Sequence, residues 1–397
     1  LTIMRLLSEL KRWDEAAATL QAHAARGFGF GGAGHMGMRI VRKAGIHEAV
    51  IAAADGAPTR EPDLTAFVGR VREDFAILQT ARTMSANREM AARGSRYRSN
   101  WILDAGADEA EEQCVFVCTN RRYFLSMLTF FCSFLGQAPQ VGGRVFAFLD
   151  RDVPRHWHGA VAMIGARFGR SIEVVTEQEF VPDAVEHRVE YGFFAGGSNL
   201  SRAAYFRLYA ARWLLQRHSF RRAAYIDTDT ICRADISGMF QLELGDRLIA
   251  AATEDYSPDV VNAASRNGLD PHAYFNSGVL LLKFDDPELP AYIEEAIRVS
   301  EQEPDRLVFH DQCALNIAFQ GRVATLPTRY NFYLRPSRER NGFIEDGAIL
   351  HFLDKPKPWD IVFDRSYREE WRVWALILGS VLPQSLYVDI FAEANRD

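Results

Sequence analysis

The stretch Ala223-Ala224-Tyr225-Ile226-Asp227-Thr228-Asp229-Thr230 runs from four largely apolar residues into two carboxylates separated by a single position. It reads as a buried strand that ends in a metal-binding turn. Side chains at i and i+2 of an extended chain project to one face, so Asp227 and Asp229 can aim oxygens at a single hard cation. A divalent ion held there would neutralise the phosphates of a substrate. An Asp-x-Asp after a strand also serves as a polar turn or an Asx cap, and in isolation that plainer reading prevails. The weight of the motif therefore comes from its surroundings.

Toward the N terminus, strand and helix alternate from Cys114 onward. Cys114 to Cys118 is a short apolar strand, followed by the polar turn Thr119-Asn120-Arg121-Arg122-Tyr123 and the apolar helix Phe124 to Leu135. A second strand, Val145 to Leu149, ends in Asp150; a helix follows around Gly159 to Phe168, and Ser171 to Val175 is a third strand. This alternation predicts an α/β fold with a parallel sheet, helices on both faces, and ligands at the carboxyl ends of the strands. Thr119, Asn120 and Tyr123 occupy one such end, and the Asp227 pair another. Ser201 is expected to cap a helix carrying Tyr205, Arg207, Leu208 and Trp213 that leads into the Asp227 strand. For Arg207, a surface ion pair and phosphate binding are competing readings.

Toward the C terminus, Tyr274-Phe275-Asn276-Ser277-Gly278 is expected as a turn feeding the apolar strand Val279 to Phe284, with Asn276 and Ser277 at its mouth. His310-Asp311-Gln312 precedes a helix with Ala314, Leu315, Ala318 and Phe319 inward, for which Asp311 is a candidate N-cap. Leu326 to Phe332 reads as a rigid aromatic turn. Ala348-Ile349-Leu350 is a short strand ending in His351, with Lys357 a few residues beyond. A lone histidine at a strand end is more often structural, but beside Lys357 it is a candidate to complete a metal and diphosphate site.

The chain has 397 residues, with Lys+Arg 46 against Asp+Glu 52 and a formal net charge of -6. This balance argues against nucleic acid as the principal partner, because binding a phosphate backbone needs concentrated positive charge. The five cysteines are odd in number and most sit in apolar runs, which points to reduced core thiols rather than disulfides. No secretory signal is read at the start, where Leu6, Leu10, Trp13, Ala17 and Leu20 form one face of an amphipathic helix. A second such helix carries Leu64, Phe67, Val71, Phe75 and Leu78. Between them, Gly27-Phe28-Gly29-Phe30-Gly31-Gly32 has dinucleotide-fingerprint spacing, but it follows a helix rather than a strand and reads as a connection. The swing from basic to acidic residues between Arg93 and Glu112 marks a domain boundary.

Four separated segments agree in kind and order: Tyr-Ile-Asp-Thr-Asp, Tyr-Phe-Asn-Ser-Gly-Val, Asp-Gln-x-Ala-Leu-Asn and His-Phe-Leu-x-x-x-Lys-Pro-Trp. Together they resemble the glycogenin and bacterial lipopolysaccharide galactosyltransferase family, glycosyltransferase family eight, from about Cys114 to Trp359. The resemblance implies a glycosyltransferase A fold with a Rossmann-like nucleotide-binding sheet, a UDP-sugar donor, and transfer of glucose or galactose with retention. It implies Mn2+, with Mg2+ as the alternative, held by Asp227, Asp229 and His351. Thr119, Asn120 and Tyr123 match the turn that holds uracil; Arg207 and Lys357, with Thr228 between the carboxylates, match groups near the diphosphate. Asn276, Asp311 and Gln312 match residues around the transferred sugar, Gln312 being similar to the one beside the anomeric carbon.

Two positions depart from the family pattern. Asp354 stands where the family usually has glycine, and a carboxylate there would repel phosphates or turn outward. Cys313 stands where another acid or glycine is common. The expected organisation is a helical region over 1–110, a transferase domain over 111–362 and a helical tail over 363–397. The expected acceptor is a glycan or lipid-linked glycan of a bacterial envelope, and the expected location is the cytoplasm, with peripheral contact at the inner membrane face as a further possibility. Self-association or acceptor recruitment is the role weighed for the N-terminal helices, against a merely stabilising cap. The competing functions are a non-catalytic UDP-sugar-binding protein and a haloacid-dehalogenase-type phosphatase. The phosphatase loop is a poorer match, because Ile231 stands where a threonine is required.

Overall fold

The computed structural model describes residues 13–26, 41, 47–57, 64–65, 67–69, 71–72, 112–182, 202–334, 347–353, 357–360 and 365–394. The chain forms two compact units, Leu1–Arg96 with Pro358–Arg368, and Tyr97–Lys357 with Glu369–Asp397. In the first, helices α1 (Trp13–Ala25) and α2 (His47–Asp55) share a core in which Ala17, Leu20, Val50, Leu64, Phe67 and Val71 are buried. The apolar periodicity of the sequence therefore marks the buried faces here. Leu6, Leu10, Phe75, Leu78 and the glycine-rich stretch lie outside the described residues.

The second unit is built on a seven-stranded sheet. It begins with β1 (Gln113–Thr119), α3 (Phe124–Gln137), β2 (Arg144–Leu149), α4 (His158–Phe168), β3 (Glu173–Thr176) and the short α5 (Glu177–Phe180). After α6 (Phe206–Arg217) come β4 (Arg222–Ile226), β5 (Thr230–Cys232), the short α7 (Ser237–Phe240), β6 (Ile249–Thr253), α8 (Pro258–Arg266) and β7 (Phe275–Lys283). The chain continues through α9 (Leu289–Gln302), α10 (Asp311–Ala318), β8 (Val323–Thr325), β9 (Phe332–Leu334), β10 (Ile349–Phe352), α11 (Arg365–Val381) and α12 (Gln384–Ala394).

The large sheet has the order β3-β2-β1-β4-β7-β6-β8. The first four strands are parallel, as the alternation predicts. β7 is antiparallel to both β4 and β6, so the sheet is mixed rather than wholly parallel. Strand order reverses between β1 and β4, because the chain runs outward to β3 and returns to the other side of β1. The crevice at such a reversal is where open α/β sheets bind ligands. Phe116, Phe148, Tyr225, Leu280 and Leu282 of the strands pack with Phe206, Leu208 and Tyr209 of the first turn of α6 in one large core.

A second, three-stranded sheet has the order β5-β10-β9. β4 belongs to the large sheet and β5 to the small one, so the turn Asp227-Thr228-Asp229 is the passage between them. The expected turn at Asn276-Ser277-Gly278 is instead the first part of β7, where all three residues are buried. His310, not Asp311, is the N-cap of α10, and Asp311 opens the helix. Ser201 lies outside the described residues. In the tail, Trp371 is buried and Gly136 lies close enough to the Trp374 ring that an added Cβ would sit 2.9 Å from it. No helix among the described residues is long and apolar enough to cross a membrane.

Candidate active site

Strand register assembles the metal-binding candidates. β10 pairs with β5 so that His351 stands opposite Thr230, immediately after Asp229. The turn itself is tied down: Thr230 Oγ1 donates to the Asp227 carbonyl at 2.7 Å, and Phe352 N donates to the Asp229 carbonyl at 3.0 Å. Ser126 of α3 donates its hydroxyl to the carbonyl of Thr228, itself buried. One ligand atom from each of Asp227, Asp229 and His351 lies within 4.8 Å of the others. His351 Nε2 is 3.3 Å from Asp229 Oδ1 and 3.9 Å from Asp227 Oδ2.

The remaining carboxylate oxygens have cationic partners. Lys357 Nζ lies 2.7 Å from Asp229 Oδ2, and Arg207 Nη2 lies 3.0 Å from Asp227 Oδ1. Asp227 Oδ2, Asp229 Oδ1 and His351 Nε2 are thus left facing one another. Two hard oxygens and one imidazole nitrogen suit a divalent ion such as manganese or magnesium with open positions, not a closed zinc site. Burial raises the Asp227 carboxyl above its usual range, with Arg207 opposing that rise. For Asp229 burial acts in the same direction, but Lys357 and His351 outweigh it and hold the carboxyl well below its usual range.

His351 is oriented by a directional chain of hydrogen bonds. Its Nδ1 is 2.8 Å from Asn331 Oδ1, an acceptor, so Nδ1 carries a proton and Nε2 is the ring nitrogen turned to the carboxylates. Asn331 Nδ2 donates to Asn276 Oδ1 at 2.9 Å, and Asn276 Nδ2 donates to Glu254 Oε2 at 2.7 Å. The Nε2 of Gln312 reaches the same Glu254 oxygen at 3.4 Å. Ser277 N donates to Gln312 Oε1 at 3.1 Å, so both ends of the Gln312 amide are held. Gly278 makes room for the histidine, since a Cβ there would run into His351 Cε1 and lie 2.8 Å from Nδ1.

Arg207 joins the two acidic groups of the site. Besides Asp227, its guanidinium meets Asp311 Oδ2 at 3.0 Å, donates to the Ser277 carbonyl and stacks 4.4 Å from the Tyr225 ring centre. It is therefore buried rather than a surface ion pair, and its contacts fix the two carboxylates. Removing one member of such a buried set typically costs about 3–5 kcal/mol, because it strands the other charge. Burial pushes Asp311 up to about 6, against the lowering effect of Arg207.

Thr119 and Asn120 are buried at the carboxyl end of β1, beside the end of β4. Asn120 Oδ1 accepts from the Tyr123 amide at 3.0 Å, closing the turn. The sequence-chosen residues thus fall into three groups at one edge of the sheet: the turn of Thr119, Asn120 and Tyr123; the candidate metal ligands Asp227, Asp229 and His351 with Thr228 and Lys357; and Asn276 with Asp311 and Gln312, Arg207 bridging the last two groups. Asp354 lies outside the described residues. Glu254, Asn331 and Tyr225, whose hydroxyl bonds Asp227, are site residues that sequence reasoning missed. For Glu254 a signal existed, since Ile249 to Thr253 is an apolar strand running into acids much as Ala223 to Asp227 does.

Comparison with known proteins agrees with this geometry. The family model described as Glycosyl transferase family 8 matches residues 114–361. The chain is 29% identical to General stress protein A of Bacillus subtilis (strain 168) over 219 residues, 52% of this chain and 72% of that protein. It is 32% identical to Lipopolysaccharide 1,2-glucosyltransferase of Escherichia coli (strain K12) over 174 residues, 40% of this chain and 49% of that protein. With Glycosyltransferase GlyE of Streptococcus pneumoniae serotype 4 it shares 27% identity over 171 residues, 41% of this chain and 39% of that protein. The chain therefore spans most of the first relative but half or less of the other two. Among solved structures, galactosyltransferase LgtC in complex with donor and acceptor sugar analogs superposes with a TM-score of 0.50 at 20% identity, covering 66% of this chain and 95% of that one. The likeness is one of fold, that of the glycosyltransferase A type.

Proposed function

This chain belongs to glycosyl transferase family 8, and from that membership we propose that it moves a hexose, glucose or galactose, from a UDP-sugar to a glycan or lipopolysaccharide-type acceptor, with retention and with a divalent metal. The observation that carries the proposal is the convergence of Asp227, Asp229 and His351 on one point, beside the edge that presents Asn120. Manganese is the favoured ion and magnesium the alternative. When bound, the ion supplies positive charge against the diphosphate that leaves.

The chain's own residues do the rest. Lys357 is a fixed cation beside Asp229 and adds to the stabilisation of leaving-group charge. Thr119, Asn120 and Tyr123 hold the uracil, and Thr228 contributes from within the metal turn. Arg207 keeps Asp227 and Asp311 in register. Asn276, Asp311 and Gln312 surround the sugar, and the clamped Gln312 carbonyl offers a preorganised negative dipole to the positive charge that develops at the anomeric carbon.

Residues 111–362 are read as the transferase domain, 1–110 as a helical region for acceptor recruitment or self-association, and 363–397 as a helical tail. The acceptor is read as a glycan or a lipid-linked glycan, reached from the cytoplasm. The test is UDP release from a panel of UDP-sugars, with and without manganese. Manganese-dependent turnover of one donor is expected. Phosphate release from simple phosphomonoesters without sugar transfer would overturn the reading, and so would metal-dependent UDP binding that survives Asp229→Asn.

A further inference from the structure

The turn after β1 is held from inside by the bond between Asn120 and the Tyr123 amide, and from outside by Arg121. The Arg121 amide donates to Asp152 Oδ1 at 2.9 Å, and its guanidinium lies 5.6 Å from the ring centre of Trp157. Arg121 Nη2 also donates to Glu393 Oε2 at 2.9 Å, across almost the whole length of the unit's sequence. Glu393 belongs to α12, and its side chain is only 16% exposed.

A second contact from the same helix reinforces the first. Trp157 Nε1 donates to Asp389 Oδ2 at 2.6 Å, and His156 Nε2 lies 3.1 Å from that oxygen. The Trp157 ring in turn packs against Phe124, the first residue of α3, with centres 5.3 Å apart. Asp389 and Glu393 are four residues apart, on one face of α12. The buried Tyr387 and Ile390 anchor the same helix. One helical face thus reaches the turn directly through Arg121 and indirectly through Trp157.

We propose that α12 braces the base-holding turn, with Glu393 and Asp389 as positioning residues for a uridine nucleotide. The proposal rests on the assignment of Thr119, Asn120 and Tyr123 to the uracil. α12 lies beyond the segment matched by the family model, which ends at residue 361. The brace acts on the base and leaves the metal triad untouched, since neither carboxylate is among the partners of Asp227, Asp229 or His351.

Calorimetric titration of the full chain with UDP and with inorganic pyrophosphate, each with manganese, tests this. Glu393→Gln should weaken UDP binding about tenfold, the scale of one charge-assisted hydrogen bond, and leave pyrophosphate binding unchanged. Glu393→Asp should recover part of the loss, and Asp389→Asn should lower the preference for UDP over ADP. Wild-type UDP affinity in both Glu393→Gln and Asp389→Asn would overturn the brace, as would equal loss of UDP and pyrophosphate. A wild-type protein that binds pyrophosphate but not UDP would instead overturn the donor assignment on which the brace depends.

Discussion

Asn331 Oδ1 lies 2.8 Å from His351 Nδ1 and so fixes which imidazole nitrogen faces the carboxylates. An outer partner of this kind sets both the tautomer and the orientation of a metal-binding histidine. Its loss typically lowers metal affinity about 10–100-fold. Asn331→Leu should weaken manganese binding by that factor, read by titration of the metal into the protein. Unchanged affinity would mean that the Asn331 bond does not orient His351 for a metal.

Gly278 and His351 compete for the same space. Gly278→Ala would drive a methyl group into the His351 ring, and the Gly278 backbone is held by its carbonyl, which accepts from the Asp227 amide at 2.7 Å. The variant should lose manganese-dependent activity while retaining its far-ultraviolet circular dichroism. Full activity would show that the ring can move aside without consequence.

Asp311 should make stability depend on pH. Folded, it holds its proton up to about pH 6, whereas in the unfolded chain the ordinary value is 3.8. Between these values the folded state binds more protons, so this group's contribution to stability declines as pH rises through the window and levels off above it. Urea unfolding from pH 4 to pH 7 should show that decline in the wild type, and its absence in Asp311→Asn. An identical pH dependence in the two proteins would count against the assignment.

His310 is the only non-glycine residue with positive φ among the described residues, at φ 48 and ψ -121. Holding such a conformation costs of order 1–3 kcal/mol, and it immediately precedes Asp311 and Gln312. His310→Gly should relieve part of this cost and raise Tm, at the expense of kcat as the start of α10 loosens. A variant with higher Tm and unchanged kcat would remove any functional meaning from the strain.

Much of the site was legible because its ligands lie in short local strings. Asp227 and Asp229 follow an apolar run, and His351 ends another with Lys357 close behind. Asn331 carries no such string, and Glu254, though it ends an apolar run, has no second ligand-type residue two positions on; both reach the site only because β9 pairs with β10 and β6 pairs with β7. The antiparallel course of β7 was equally hidden. A strand buried on both faces reads as a continuous apolar run whichever way it points. Asn276, Ser277 and Gly278 have turn-like chemistry yet lie within β7, at the register shift between β6 and β7, where Asn276 and Ser277 bond to the site and Gly278 leaves space for His351.

β10 is the middle strand of the small sheet, antiparallel to β5 and parallel to β9. It is also the last of the three to leave the ribosome. A nascent chain can form the large sheet and expose both aspartates, yet it lacks an imidazole to join them until β10 slides between two strands already made. The order of synthesis therefore postpones the meeting of Asp227, Asp229 and His351 until residues 349–352 have been made.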